Sequence, residues 1–215
     1  MGQEKWSLDA GGVTLLERRL AALAEVATEL IVSVPYGGPS TALANCVAGA
    51  AQRLRREIRW VADSQPGLGP LEGVRTSLAA CTAKAAWVVA VDAQELHPAL
   101  IEWLGEAASR EGVLGGVPRW SGGFEPAMAC YGRQLLAPLE ELFERGCREL
   151  RALANIPGVV ALELEEPEAQ VRLFGRRMEV PELRERLSQL LGSLNTPAAY
   201  ERWRLASGWV RRDPK

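Results

Sequence analysis

AWVVAVD, residues 86–92, is an unbroken apolar run that ends on a carboxylate. A strand with water on one face alternates apolar and polar residues. This one is apolar on both faces, so the pattern predicts a central parallel strand over 86–91. Asp92 then stands at the carboxyl end of that strand, where open α/β sheets bind their ligands.

Working outward, the neighbouring segments alternate in kind. VTLLERRLAALAEV, 13–26, places Leu16, Leu20 and Leu23 on one helical face. ELIVSVP, 29–35, and IRWVA, 58–62, read as strands, with a helix over 40–56 between them. DSQPGLGP, 63–70, is a loop by composition, and LEGVRTSLAAC, 71–81, returns to helical spacing. Downstream, the spacing predicts a helix at 97–109, a strand near 113–118, a strand at 127–132, a helix at 133–145 and a strand at 159–165. Strand alternating with helix predicts a three-layer α/β/α, Rossmann-like domain with a right-handed, mostly parallel sheet, in one unit over 1–215. Residues 167–192 stand apart as an inserted strand/helix segment, expected to be peripheral or partner-facing. Thr196 and Pro197 read as the cap and first position of a closing helix.

Composition narrows the class. The chain has 215 residues, 47% hydrophobic and 24% charged, which is globular and not disordered. A net charge of −2 supplies no basic field for nucleic acid or an anionic membrane, so an anionic ligand needs a local site. No apolar run has the length of a membrane span, and residues 1–12 lack the order of a secretory signal. Cys46, Cys81, Cys130 and Cys147 are scattered and read as buried free thiols, so a cytoplasmic setting is expected. The one histidine, His97, has no cysteine nearby to suggest zinc.

The strand order raises a question of its own. In a doubly wound sheet the first strand is central, yet this sequence opens with the helix that should follow one. Strands 29–35 and 86–91 would each keep an open edge. The pattern predicts either a strand ahead of Met1, making the chain N-terminally truncated, or a different strand order.

Three places could carry chemistry. Asp92 could bind Mg²⁺ through one oxygen, with waters and phosphates completing the shell, or simply cap the next turn. The 63–73 loop, with Gly69, Pro70 and Gly73 at a helix start, could offer backbone N–H groups to an anion or be an ordinary connection. Lys5, beside Gly2, could pair with a phosphate or be solvated.

Taken together these segments resemble a known family. M-G-Q-E-K, 1–5, resembles the end of the L-A-G-G-x-S-x-R-M-G-x-D-K signature of nucleotidyltransferases. G-P-L-E-G-V at 69–74, V-V-A-V-D at 88–92, E-P-A-M-A-C-Y at 125–131 and S-L-N-T-P-A-A-Y at 193–200 resemble later motifs of the molybdenum cofactor guanylyltransferases and the related cytidylyltransferases. The resemblance implies transfer of GMP from GTP to the terminal phosphate of molybdopterin with release of pyrophosphate. It implies Lys5 on the triphosphate, Asp63, Gly69 and Pro70 near the nucleotide, and Asp92 on Mg²⁺. Glu125, Pro126 and Asn195 would lie on the acceptor side. GTP and molybdopterin would be the small-molecule partners, and a molybdoenzyme or cofactor-pathway protein could be a further one. The alternatives are a non-catalytic binding or regulatory protein of the same fold and a cytidylyltransferase.

Overall fold

The structure is a computed structural model, and it describes residues 4–207. Met1, Gly2 and Gln3, the first residues of the stretch that resembles the end of the nucleotidyltransferase signature, lie outside the described residues.

The strands fall into two groups. β1 (Leu30–Val34) and β2 (Ile58–Ala62) form a parallel pair. β3 (Ala85–Val89), β4 (Gly115–Trp120), β5 (Gly123–Phe124), β6 (Met128–Gly132) and β7 (Val159–Glu163) form a second sheet. Within it β6 lies between β3 and β4 and is antiparallel to both, while β7 runs parallel to β4 on its other side. The three-layer α/β fold is therefore as expected, but the sheet is mixed.

The expected parallel ladder for 86–91 is corrected: β3 pairs only with β6 among the described strands, and antiparallel. The reason is chain length. A parallel neighbour needs a crossover of about a dozen residues or more. The link from Trp120 to Met128 is shorter than that, so the chain folds back through β5 and β6 reverses. Burial on both faces, which composition does report, is the same for either direction.

Burial of β3 on both faces explains the layers. Trp87 and Val89 pack into one core cluster, with Leu100 and Leu104 of α4 (Pro98–Ala108). Ala86 and Val88 pack into another, with Leu71, Val74 and Leu78 of α3 (Pro70–Ala80) and Leu139 of α5 (Leu136–Glu144). This is the period of two that a strand imposes. Beside β1 and β2, α1 (Leu15–Ala24) and α2 (Thr41–Leu54) close a further cluster around Leu20, Leu30 and Val47. The Thr14 hydroxyl and Glu17 carboxylate form a reciprocal capping box that starts α1.

The 167–192 segment is corrected in two respects. It contains no strand: α6 (Pro167–Phe174) and α7 (Val180–Leu191) fill it. Pro167 occupies the first turn, and Ala169, Gln170 and Leu173 fall at helical spacing on the buried side. Nor is the segment peripheral in its packing. Leu173, Leu183, Leu187, Leu190 and Leu191 are buried in one cluster with Leu100, Leu104 and Met128. The closing helix α8 (Pro197–Ala206) has the expected cap, Thr196 Oγ1 accepting from Ala199 N at 3.1 Å.

Leu187 has no exposed surface. Leu187→Ala should cost about 2–5 kcal/mol in a urea unfolding titration, the range for a buried leucine emptied to alanine. A loss under about 0.5 kcal/mol, the scale of an ordinary surface change, would return α7 to the periphery.

Candidate active site

Three distant stretches of chain meet at the carboxyl end of β3. Lys5 opens a 3₁₀ turn, Lys5–Ser7. Its Nζ donates to Asp92 Oδ2 at 2.7 Å and also to Asn195 Oδ1. Asn195 in turn donates through Nδ2 to Ser193 Oγ. Asp92 is largely buried, with 13% of its side chain exposed, against 40% for Lys5. The pair is thus set into the surface with one side open to an incoming ligand.

The backbone explains why these residues coincide. After β3 the chain turns, with Ala93 N donating to Ala90 O at 3.1 Å. The 192–194 segment then pairs with 92–94: Leu194 N donates to Asp92 O at 2.8 Å, and Gln94 N to Gly192 O at 3.0 Å. From behind, Arg19 Nη2 donates to the carbonyls of Ala93 and Gln94, and Trp203 Nε1 donates to Gln94 O at 2.8 Å. Arg19 is only 5% exposed. Burial is the main cause of its lowered pKa, about 10, while Asp92 and Glu95 pull the other way, so it stays charged at neutral pH.

A second group stands apart from this one. Asp63, Gly69 and Pro70 line a cavity of about 480 Å³ between β1 and β3. Asp63 N donates to Val34 O at 3.0 Å, which sets Asp63 at the carboxyl end of β1 and β2. Burial, then the charge of Glu72, pushes the Asp63 carboxyl above its ordinary value. Gly69 caps α3 with φ +74°, a conformation that a side chain disfavours, and a Cβ there would meet Arg148 O at 3.1 Å. At Gly73 a Cβ would come within 2.6 Å of Ser33 Oγ, so a side chain there would force Ser33 to turn away or α3 to move off β1.

Glu72, which the sequence reading passed over, holds this loop. Its carboxylate has no exposed surface and accepts from Ser64 N at 2.9 Å, Ser64 Oγ at 2.6 Å and Arg75 Nε at 2.7 Å. Arg75 also reaches Glu140 at 3.0 Å. Hydrogen bonds from Arg75 outweigh burial and hold Glu72 down to a pKa of about 2. The signal for Glu72 was its place in the first turn of a predicted helix, beside a loop with unsatisfied N–H groups. Arg19 had a signal too: it falls on the same inward face as Leu15, Leu16 and Leu20.

Glu125 and Pro126 join neither group through their side chains. Trp120 Nε1 donates weakly to Glu125 Oε1 at 3.5 Å, and burial pushes the Glu125 carboxyl up. Pro126 O accepts from the buried Tyr131 hydroxyl at 3.0 Å. The adjacent Ala127 O accepts from Ala90 N at 2.8 Å, which sets this loop two residues before Asp92. His97 precedes α4, with its ring edge-on to Phe174 at 6.2 Å.

Among the described residues no group of three or more His, Cys, Asp or Glu side chains could by itself hold a metal ion. The donor set at Asp92 is one carboxylate. That suits a hard cation that keeps most of its waters and arrives with phosphate oxygens, as Mg²⁺ does, and it does not suit a caged ion.

The charged pair and the glycine-started helix both lie at carboxyl ends of strands, where α/β sheets bind ligands. The chain belongs to the family of the MobA-like NTP transferase domain, whose model matches residues 1–163. It is 32% identical over 176 residues to a probable molybdenum cofactor guanylyltransferase of Methanosarcina mazei, covering 80% of this chain and 76% of that one. It is 34% identical over 154 residues to a protein of the same description from Opitutus terrae, covering 70% and 69%. In fold it is similar to the crystal structure of molybdopterin-guanine dinucleotide biosynthesis protein A from Archaeoglobus fulgidus. That match has a TM-score of 0.68 at 19% identity and covers 97% of this chain and 93% of that one.

The Glu72 charge links the loop to pH. Its folded pKa of about 2 lies below the ordinary glutamate value of 4.5. As pH falls the unfolded chain therefore takes up the proton first. The stabilisation is present above about pH 4.5 and is lost as pH falls toward 2. Its size is on the order of 2 kcal/mol. Glu72→Gln should remove that part of the acid dependence, measured as urea stability from pH 6 down to about pH 3. An unchanged pH slope in the variant would show that Glu72 does not carry it.

Proposed function

We propose that this nucleotidyltransferase moves GMP from GTP to the terminal phosphate of molybdopterin and releases pyrophosphate. The observation that carries this reading is the convergence of Lys5, Asp92 and Asn195. They are 87 and 190 positions from Lys5 in sequence, yet both contact its ammonium. A triphosphate binding over the strand ends would meet that ammonium and exchange it from Asp92 to phosphate oxygen. The family relatives described as guanylyltransferases support GTP as donor.

In this reaction an oxygen of the molybdopterin phosphate attacks the α-phosphorus of GTP. A new P–O bond forms there as the bond from the α-phosphorus to the bridging oxygen of the β-phosphate breaks. The electron pair leaves with pyrophosphate. The protein has little covalent work to do in such a transfer; it positions the reactants and neutralises charge. Lys5 offsets the charge that builds on the departing phosphates, and Asn195 keeps its ammonium aimed at the site. Asp92 would hold Mg²⁺, which supplies further neutralisation of the phosphate oxygens when bound. Asp63 and the Gly69–Pro70 turn, braced by Glu72, would border the nucleoside. Glu125 and Pro126 would border the acceptor.

Purified protein given GTP, molybdopterin and Mg²⁺ should release pyrophosphate and form the guanylylated pterin, with CTP a poor donor. CTP turnover equal to or above GTP turnover would move the assignment to cytidylyl transfer. Asp92→Asn keeps the shape and removes the charge. It should lower the rate on the order of 10²-fold or more, as loss of one electrostatic stabiliser does, with unfolding little changed. Near-normal turnover would take Asp92 out of the site.

A further inference from the structure

Glu125 is a carboxylate short of hydrogen-bond donors. An ionised carboxylate offers about four acceptor sites. Glu72 fills its own with Ser64 N, Ser64 Oγ and Arg75. Glu29 takes Thr82 N, Ala83 N and the Arg59 guanidinium. Glu125 is half-buried, yet among the described residues it accepts only from Trp120 Nε1, at 3.5 Å. Burial with so little compensation pushes its carboxyl up, whereas the donors around Glu72 hold that one down.

The chain holds Glu125 in this state at the carboxyl ends of strands. β3 and β4 are both antiparallel to β6, so they run the same way and end on the same side. Glu125 N donates to Pro118 O near the end of β4, at 3.0 Å, and Glu125 O accepts from Met128 N at 3.0 Å. Ala127 O accepts from Ala90 N at 2.8 Å, two residues before Asp92. The Trp120 ring lies against Gly122, where a Cβ would strike it, and this turns the indole N–H back toward Glu125. Asp63 is a second carboxyl that burial pushes up, and it stands beyond the cavity at the ends of β1 and β2. Asp92 thus has a donor-poor carboxylate on each side.

We propose that Glu125 reads the 2-amino-4-oxo edge of the acceptor's pterin ring, its two oxygens accepting from ring N3–H and from the 2-amino group. The inference rests on the proposed reaction and deepens it, because it names the edge by which the acceptor is chosen. Two neighbouring N–H donors in one plane match the two oxygens of a carboxylate, and such charge-assisted pairs are the strong ones. Guanine presents the same edge through N1–H and its own 2-amino group. The donor nucleoside, however, falls to the Asp63 side in that reading, which leaves Glu125 for the second ring. Trp120 is a positioning residue: its N–H steers one oxygen and leaves acceptor capacity on both.

The test uses two fluorescent probes, the phosphate esters of 6-hydroxymethylpterin and 6-hydroxymethyllumazine. They differ at position 2, amino in the first and oxo in the second. The 215-residue chain should bind the pterin ester at least about tenfold more tightly, the scale of one hydrogen bond to a charged group. Glu125→Gln should reverse the order. Its amide oxygen still accepts from N3–H, but its NH₂ opposes the 2-amino group and donates to a 2-oxo group. A merely structural role would weaken both probes together. GTP affinity with Mg²⁺ should be unchanged in the variant. Equal binding of the two probes by the unaltered chain, or no binding of either, would overturn the proposal without any variant. A pterin preference that survives in Glu125→Gln would overturn it too, even if guanylyl transfer is observed. Loss of GTP affinity with pterin binding intact would move Glu125 to the donor and overturn it as well. Pterin discrimination that reverses in the variant, with no transfer by the unaltered chain, would uphold this inference and remove the reaction.

Discussion

The site depends on the short backbone stretch from Asp92 to Gln94, and that stretch is held from three directions. The 192–194 segment pairs with it, Arg19 donates to two of its carbonyls, and Trp203 donates to one. No regular element contains these residues, so their hydrogen bonds must be found elsewhere in the chain. The solution ties the early helix α1, the middle strand β3 and the final helix α8 to one point. Burying a guanidinium there is costly, and Arg19 Nε has no hydrogen-bond partner among the described residues. The cost is offset by two carbonyl acceptors and by the nearby charges of Asp92 and Glu95. Asp92 is therefore both a ligand candidate on its outer side and part of the field that steadies its own support.

Much of this was legible in the sequence because periodicity reports burial. The strands at 30–34, 58–62, 85–89 and 159–163 and the helices between them fall where apolar spacing puts them. Thr196 and Pro197 mark the start of α8 as capping chemistry requires. Direction was not legible. Val88 and Val89 are buried on opposite faces whether the neighbour runs with them or against them, and only the short link from β4 to β6 decides that it runs against. The open edges of 29–35 and 86–91 were legible, and among the described residues β1 and β3 each pair on one side only.

The 167–192 segment misled for a related reason. It interrupts two motif blocks, and from a motif's standpoint an interruption looks peripheral. Packing follows another criterion. Leu183, Leu187 and Leu190 line one face of α7, and that face closes the core over α4. The apolar stretch near Leu173 is too short for periodicity to separate helix from strand, and Pro167 at its start was the better guide.

The two residue groups of the site also differ in how they are made rigid. Lys5, Asp92 and Asn195 are joined through side chains alone, by an ion pair to Asp92 and a hydrogen bond to the Asn195 amide oxygen. Asp63, Gly69 and Pro70 are fixed by shape, since Gly73 lets α3 approach β1 and Glu72 binds the loop to its own helix. Such a division suits transfer between two phosphates. Under the proposed reaction, the part that would answer changing charge is a set of side chains, and the part that would border the nucleoside is backbone. It also explains why the sequence singled out Lys5, Asp92 and Asn195 and passed over Glu72, the support of the second group. Lysine, aspartate and asparagine stand out as chemistry, whereas a buried glutamate in a first helical turn is visible only once the loop it holds is in view.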